Sequence, residues 1–349
     1  MLRNRVKAFT GPRAEERAER VGHFFKALAG IDASRKWNVD HHIALEKATR
    51  EGTNSAGGFL APEDFDNAII AVRDTVGAFR NAEVRRARSM NQVRPRRVGG
   101  FTFNFVPEGT AIPESQLEWD AVGATLKKLG ALMRSSTELF EDSAADLGEY
   151  IATEAGYGLA AKEDDCGFNG DGTSTYSGIS GLGTKLVGSL SAVNAASGHG
   201  TYLTLDTTDI GSLMAGVLAT AIPGAKWYIS AIGYAQTFCR IAASGGGLDA
   251  RMNPDGSISA NYLGFPVVFS SKLQNVTTSL TGKPMIFFGN LEMSSLIVEQ
   301  QSGTIIATSY ERSLDTDQVL VRATRREDII NHSVGDSASY GPIAMLVGG

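Results

Sequence analysis

The chain has 349 residues, with 33 Lys and Arg against 38 Asp and Glu and a formal net charge of −5, which excludes a uniformly basic nucleic-acid binder. Hydrophobic residues make up 42% of it, enough for a core, so a fully disordered chain is excluded too. The 40 glycines exceed the usual share of about 7% but have no triplet period and come with only 10 prolines, so they mark turns and close backbone approaches, not collagen.

Length alone suggests two structural units. Cys166 and Cys239 lie far apart with no Cys-x-x-Cys, so neither a disulfide framework nor a structural zinc site is expected, and reduced thiols in a cytoplasm fit best. The first ten residues lack the apolar run of a signal peptide. The longest apolar stretch, 213–222, is too short to span a bilayer.

Residues 1–50 hold 11 Lys and Arg and 6 Asp and Glu, a net +5, which leaves −10 on the remainder. Within this basic arm, Ala14, Ala18, Val21, Phe24, Phe25 and Leu28 suit a short helix that Gly30 and Asp32 end. The small polar run 51–58 reads as a linker. Pro62, Phe65, Ile69, Val72 and Val76 predict an amphipathic helix, followed by an arginine cluster at Arg80, Arg85, Arg86, Arg88, Arg94, Arg96 and Arg97. Phe101, Phe103 and Phe105 alternate with period two, a strand with one aromatic face. An extended loop from Pro107 to Trp119 and a returning strand over 122–136 complete a long hairpin. From about Ser143 to Asp165 the pattern is helical, with Leu147, Ile151, Ala155 and Leu159 spaced by four and much of the surface small.

The second half alternates element types. A helix is predicted over 209–221, capped by Thr207 or Thr208 and stopped by Pro223. A strand at 227–230, a helix at 234–243 and a turn at 253–256 follow. Further strands are expected at 264–269, 285–289, 302–308 and 319–323.

No catalytic constellation stands out. His41 and His42 are adjacent, and neighbouring side chains in an extended segment point opposite ways, which disfavours a shared metal ion. The glycine-rich loops over 170–183 follow a helix where phosphate loops need a strand, so a helix stop with turns is the simpler reading. Glu141-Asp142 and Asp164-Asp165 sit among nine acids in 138–165, where Lys162 is the one base. A solvated or partner-facing surface is the simpler reading there too. The arginine cluster suits phosphate or an acidic partner, but Arg80 to Arg97 contains no aromatic for base stacking. A basic arm, a hairpin and a small, acidic helix are segments that do not bury themselves, and they point to assembly.

Six motifs occur in order along the chain. Residues 55–62 (SAGGFLAP) resemble the S-x-G-G-[YF]-L-x-P start of the tailed-bacteriophage major capsid proteins of the Hong Kong 97 type. Residues 136–143 (STELFEDS) resemble the S-x-E-L-L-x-D-S motif that leads into their spine helix, and 163–173 (EDDCGFNGDGT) the E-D-x-x-x-[LIF]-N-G-D-G-T at its end. Residues 263–267 (LGFPV), 288–291 (FGNL) and the late stretch with Arg322, Arg326 and Asp328 are similar to later family motifs.

The resemblance implies an α+β capsid fold. Its parts would be an N-terminal arm at 1–58, a first part of the peripheral domain at 59–99, an E-loop hairpin at 100–136 and a peripheral domain with spine helix at 137–199. An axial domain at 200–313 and a return to the peripheral domain at 314–349 would follow. It implies a non-enzymatic major capsid protein, without cofactor or metal, that assembles with itself into hexamers and pentamers of an icosahedral virion shell. The shell would enclose double-stranded DNA and form in the host bacterial cytoplasm, with no membrane partner and with portal, scaffolding and decoration proteins as possible further partners. Some members crosslink a loop-tip lysine to a neighbour's asparagine. The tip from Pro107 to Trp119 has no lysine, so crosslinking is not expected. An encapsulin-like compartment in the same fold, and a glycine-rich α/β enzyme using 169–183, are the alternatives.

Inter-subunit contacts are expected at Arg85, Arg86, Arg88, Phe101, Phe103, Phe105, Glu108, Glu114, Trp119, Gly148, Glu149, Ala152 and Glu154. The hairpin would lie over a neighbour's spine helix, where Gly148 and Ala152 permit close approach. Its acids Glu108 and Glu114 would meet the neighbour's basic arm or arginine cluster, and the acidic helix, through residues such as Glu149 and Glu154, would meet basic groups between subunits.

Overall fold

The computed structural model describes residues 7–28, 59–60, 63–89, 91–97, 104–111, 114, 119–136, 144–245, 248–252, 258–301, 303–309 and 318–349. The expected linker at 51–58, the turn at 253–256, His41, His42, Phe101 and Phe103 lie outside the described residues.

Three helices build one side of the molecule. Helix α1 (Ala14–Leu28) carries Glu15 and Glu16 in its first turn, where they complement the helix dipole, and buries Ala18, Val21, Phe24 and Phe25. Helix α2 (Glu63–Val76) likewise starts with Glu63, Asp64 and Asp66, ends near Arg73, and turns Phe65, Ile69 and Val72 inward. Helix α3 (Ala144–Asn169) is 26 residues long, roughly 40 Å at about 1.5 Å per residue. It is the axis on which the other two pack, because a Cβ at Gly148 would collide with Ala18 and Gly22 of α1, and one at Gly156 with Val72 of α2.

Two sheets flank this axis. The first joins β1 (Phe59–Leu60), β2 (Glu83–Ala87), β5 (Lys127–Ser136), β12 (Ser295–Gln300), β13 (Ile305–Ser309) and β14 (Gln318–Asn331). β14 is its spine: β5 pairs along one edge, while β13 and then β12 share the other. The second sheet runs in the order β6 (Ala192–Asn194), β15 (Ile343–Val347), β11 (Pro284–Gly289), β7 (Lys226–Ile229), β10 (Phe265–Phe269), β9 (Ile258–Tyr262), β8 (Leu248–Met252). A separate ribbon pairs β3 (Asn91–Arg97) with β4 (Trp119–Thr125).

Three expectations are corrected. The outgoing hairpin strand is β3, inside the arginine cluster, and the described part of the aromatic run, 104–105, is not strand. The expected return strand divides at Leu126, which is buried with Ala87 and Leu296, so only its first half stays in the hairpin and the second half enters the first sheet as β5. β12 and β13, expected with the axial segment, pair on β14, because a 14-residue strand offers an edge long enough for two partners. Conversely β15, apolar throughout and buried, sits inside the second sheet between β6 and β11.

In the second unit the helix α4 (Thr207–Ala215) is capped by Asp206, one residue before the expected threonines. Its side chain accepts from the N–H of Thr208 and Asp209 while Asp209 returns the bond, a complete capping box. Trp227, Phe238, Tyr262 and Phe288 fill the core beneath, with Phe238 stacked on Tyr262 at 4.1 Å.

The two sheets are locked together at the C-terminal end of α3. Phe168 is fully buried, with its ring 5.1 Å from Phe79 beside the first sheet and 5.7 and 5.2 Å from Tyr228 and Phe287 of the second. Replacing it by alanine opens a cavity at this joint. Phe168→Ala is expected to cost about 3–5 kcal/mol of folding stability, read from the denaturant midpoint of the full chain.

Candidate functional site

The hairpin is anchored at its base, and the described residues 104–105, 107–111 and 114 toward its tip are exposed. At the base, Ala124 and Leu126 are buried with Ala87, Leu296 and Val298, and the Thr125 N–H donates to Asp328 Oδ2 at 2.9 Å. Toward the tip, Phe105 is fully exposed at 108%. A turn follows, in which the Thr110 N–H donates to the Pro107 carbonyl at 3.2 Å and Gly109 takes a φ of 82°. Glu108 and Glu114 are exposed, and Trp119 opens β4 in register with Arg97. A large aromatic is thus left wholly in water on this loop.

β2, an edge strand of the first sheet, presents Arg85 and Arg86, with Arg88 just beyond it; all three are exposed. Arg85 Nε bonds Glu83 Oε1 of its own strand at 2.7 Å, and Arg88 Nε bonds Gln301 Oε1 at 3.0 Å.

The small face of α3 is filled from within the chain. Gly148 and Ala152 are buried beneath α1, so the close approach expected of a neighbour is made by the chain's own arm helix. Glu149 serves that same contact, accepting from the backbone N–H of Ala8 at 2.6 Å and of Phe9 at 3.2 Å. Glu154, half-buried, lines a groove of about 340 Å³ between α3 and the first sheet, whose apolar walls include Ile69, Leu129, Ala155, Leu159 and Ala323.

The arginine cluster and the acidic helix do meet, but inside one subunit. Arg80, just before β2, grips Glu163 of α3 with both Nε (2.6 Å to Oε2) and Nη2. Its Nη1 lies 2.5 Å from Glu299 Oε1 of β12. Arg73 Nη1 stands 2.9 Å from the same oxygen and 3.6 Å from Glu163, and Arg325 Nη2 of β14 bonds Glu299 Oε2 at 2.8 Å. All five side chains are at most 6% exposed. Burial alone would raise the Glu299 carboxyl, but Arg80, Arg73 and Arg325 together hold it below the ordinary carboxylate range. Sequence reading assigned Arg80 to the surface cluster and passed over Arg325 and Glu327. The available signal was the period of two in β14, which puts residues 325 and 327 on one face and 326 and 328 on the other.

Two further polar clusters are tied by hydrogen bonds. His199 Nδ1 lies 2.6 Å from Asp209 Oδ2, and Asp209 also accepts from the N–H of Ala196 and Asp206, while Asp206 caps α4. The glycine-rich loop after α3 closes on itself: Asp171 Oδ1 accepts from the Thr173 N–H and hydroxyl, and the Gly172 N–H donates to the Ile179 carbonyl.

The chain was compared with known proteins. The model of the phage capsid family matches residues 57–330. Among solved structures, the capsid of an empty GTA particle is 17% identical, covering 79% of this chain and 90% of that one with a TM-score of 0.55. The protein of Mycobacterium phage Bobi is 15% identical over 78% and 91% at 0.53, and that of Mycobacterium phage Adephagia 16% identical over 78% and 90% at 0.52. At these identities the likeness is one of fold. A search of curated protein sequences finds no match.

Glu149 gives a direct test of the arm contact. Reversal to lysine removes two charge-assisted hydrogen bonds, each worth about 1.5–3 kcal/mol. In Glu149→Lys, amide exchange at Ala8 and Phe9 should accelerate about tenfold or more, with the second sheet's protection unchanged.

Proposed function

We propose a mode of assembly for this chain, which belongs to the phage capsid family and is a major capsid protein of an icosahedral phage shell. Copies of it associate with one another into capsomers. The proposal is that these are hexamers and pentamers, and that the β3–β4 hairpin of each copy crosses onto the next. The observation that carries it is the hairpin itself, fixed to the first sheet at Leu126 and ending in a fully exposed Phe105.

Glu108 and Glu114 at the tip face a neighbour's exposed basic groups, for which Arg85, Arg86 and Arg88 on the sheet edge are suited. Exposed pairs contribute about 0–1 kcal/mol each, so the stability of the shell comes from repetition around closed rings. The shell encloses double-stranded DNA, is built in the host bacterial cytoplasm, and takes portal, scaffolding and decoration proteins as further partners. The family match favours neither an encapsulin-like compartment nor a glycine-rich enzyme.

Replacing residues 107–119 by a short Gly-Ser turn, and separately Phe105 by serine, tests the hairpin. The shortened chain is expected to stay folded and soluble but to give incomplete shells in electron micrographs, and Phe105→Ser to lower the yield of closed particles. Normal particles from the shortened chain would sink the proposal.

A further inference from the structure

Glu327 stands where several charged elements converge. Across the β12–β14 ladder it is in register with Glu299, and the Glu163 carboxyl of α3 lies within hydrogen-bonding reach of its own. Like charges directly opposite on paired strands repel. A hydrogen bond between two carboxyl groups also requires that one of them carry a proton. Glu163 is not that one, since both of its oxygens accept from Arg80. Nor is Glu299, which faces three guanidinium groups. Glu327, by contrast, has a buried oxygen, Oε2, that no donor faces. As a carboxylate that oxygen is an orphaned acceptor; as the O–H of a carboxylic acid it becomes a donor.

The ion pairing agrees. Arg73, Arg80 and Arg325 are engaged by Glu163, by Glu299 and by the half-exposed Asp74, whose Oδ1 lies 3.3 Å from Arg73 Nε and 3.7 Å from Arg80 Nε, and none of these pairs includes Glu327. An ionised Glu327 would be a buried carboxylate with no paired cation. The other groups facing it are engaged or neutral. Asp164 of α3 accepts from the N–H of Ala78 and Phe79 and from the Ser270 hydroxyl. Burial pushes the neighbouring Cys166 thiol up to about 11. Lys127, in register with Glu327 on β5, gives its ammonium to Asp328.

We propose that Glu327 is held as a carboxylic acid that donates its proton to Glu163, making the seat of α3 on the first sheet a proton-linked latch. Burial first, and the charge of Glu163 second, shift the Glu327 acidity in the direction this requires. When the O–H bond breaks and the proton leaves to solvent base, Glu327 becomes a second carboxylate against Glu163 and Glu299, and α3 is repelled from β14. The sign follows from linkage. The folded state holds a proton that the unfolded chain has lost above the ordinary glutamate range. This contribution to stability is therefore complete below that range and falls as pH rises toward the folded titration of Glu327.

The latch lies within one subunit, so its test is independent of shell formation. The full chain, labelled with carbon-13 at glutamate side-chain carboxyls, should show the infrared carbonyl band of a protonated glutamic acid near neutral pH. The label separates it from Asp164, and the band should vanish in Glu327→Gln. Between about pH 5 and about pH 9, the wild-type melting temperature should fall relative to Glu327→Gln by about 2–4 °C per pH unit. The glutamine keeps an N–H donor but cannot ionise. No such band in the wild type, a band that persists in Glu327→Gln, or two melting curves that run parallel with pH would each overturn the proposal. The wild-type band alone decides the matter if the variant does not fold.

Discussion

The contact between Arg80 and Glu163 fixes the position of everything else in the first half of the chain. Glu163 belongs to the long helix, Arg80 to the turn that leads into β2, and the Glu299 that Arg80 and Arg73 both reach belongs to β12. Taking such charges out of water costs several kcal/mol per ion, and a pair whose partner is removed loses about 3–5 kcal/mol. The cluster is therefore poor evidence for extra stability, but it is a strict device for register. β2 pairs with β12 only where Val84 meets Ile297 and Arg86 meets Glu299, and a slip would strand a guanidinium in an apolar core. Helix, turn and sheet are set by one arrangement of charges, and the hairpin leaves the sheet from that fixed edge.

Phe168 acts one turn further on, by packing instead of charge. Glu163 and Phe168 are five positions apart on α3, so one end of a single helix carries both the polar joint to the first sheet and the aromatic joint to the second. Further back, α3 is committed to its own chain at Gly148 and Gly156, where α1 and α2 lie too close for any side chain. Those two positions of α3 are closed to any other copy.

The sequence made some of this legible and hid the rest for identifiable reasons. α1 and α2 carry one apolar stripe each, α3 has apolar residues spaced by four among small ones, and the strands at 226–229, 265–269 and 284–289 are short apolar runs between turn residues, so local pattern suffices. β3 reads NQVRPRR, and its proline and arginines argue against a strand. It is a strand nonetheless, paired residue for residue with β4 from Asn91 opposite Thr125 to Arg97 opposite Trp119. The phenylalanines at 101, 103 and 105 had the expected alternation, and the one that is described lies in no strand. The exchange of β12, β13 and β15 between the two sheets depends on pairing across long separations, which no local window encodes. The charged cluster draws Arg73, Arg80, Glu163, Glu299, Arg325 and Glu327 from five separate segments. Each looks like a surface residue when read alone.

These commitments bear on the contacts proposed between copies. Sequence reading placed the small and acidic face of α3 at the subunit boundary, yet Gly148, Glu149 and Ala152 are spent on α1 and on the backbone of Ala8 and Phe9. Among the described residues, features that stay open to a neighbour include the tip with Phe105, the edge of β2 with Arg85 and Arg86, and the apolar groove beside Glu154. They lie on separate elements, so contacts made through them are several and individually small. A closed shell benefits from that division. Weak contacts let a misplaced copy dissociate and correct itself, while the rigid joint at Glu163 and Phe168 keeps the angle between contacts the same in every copy.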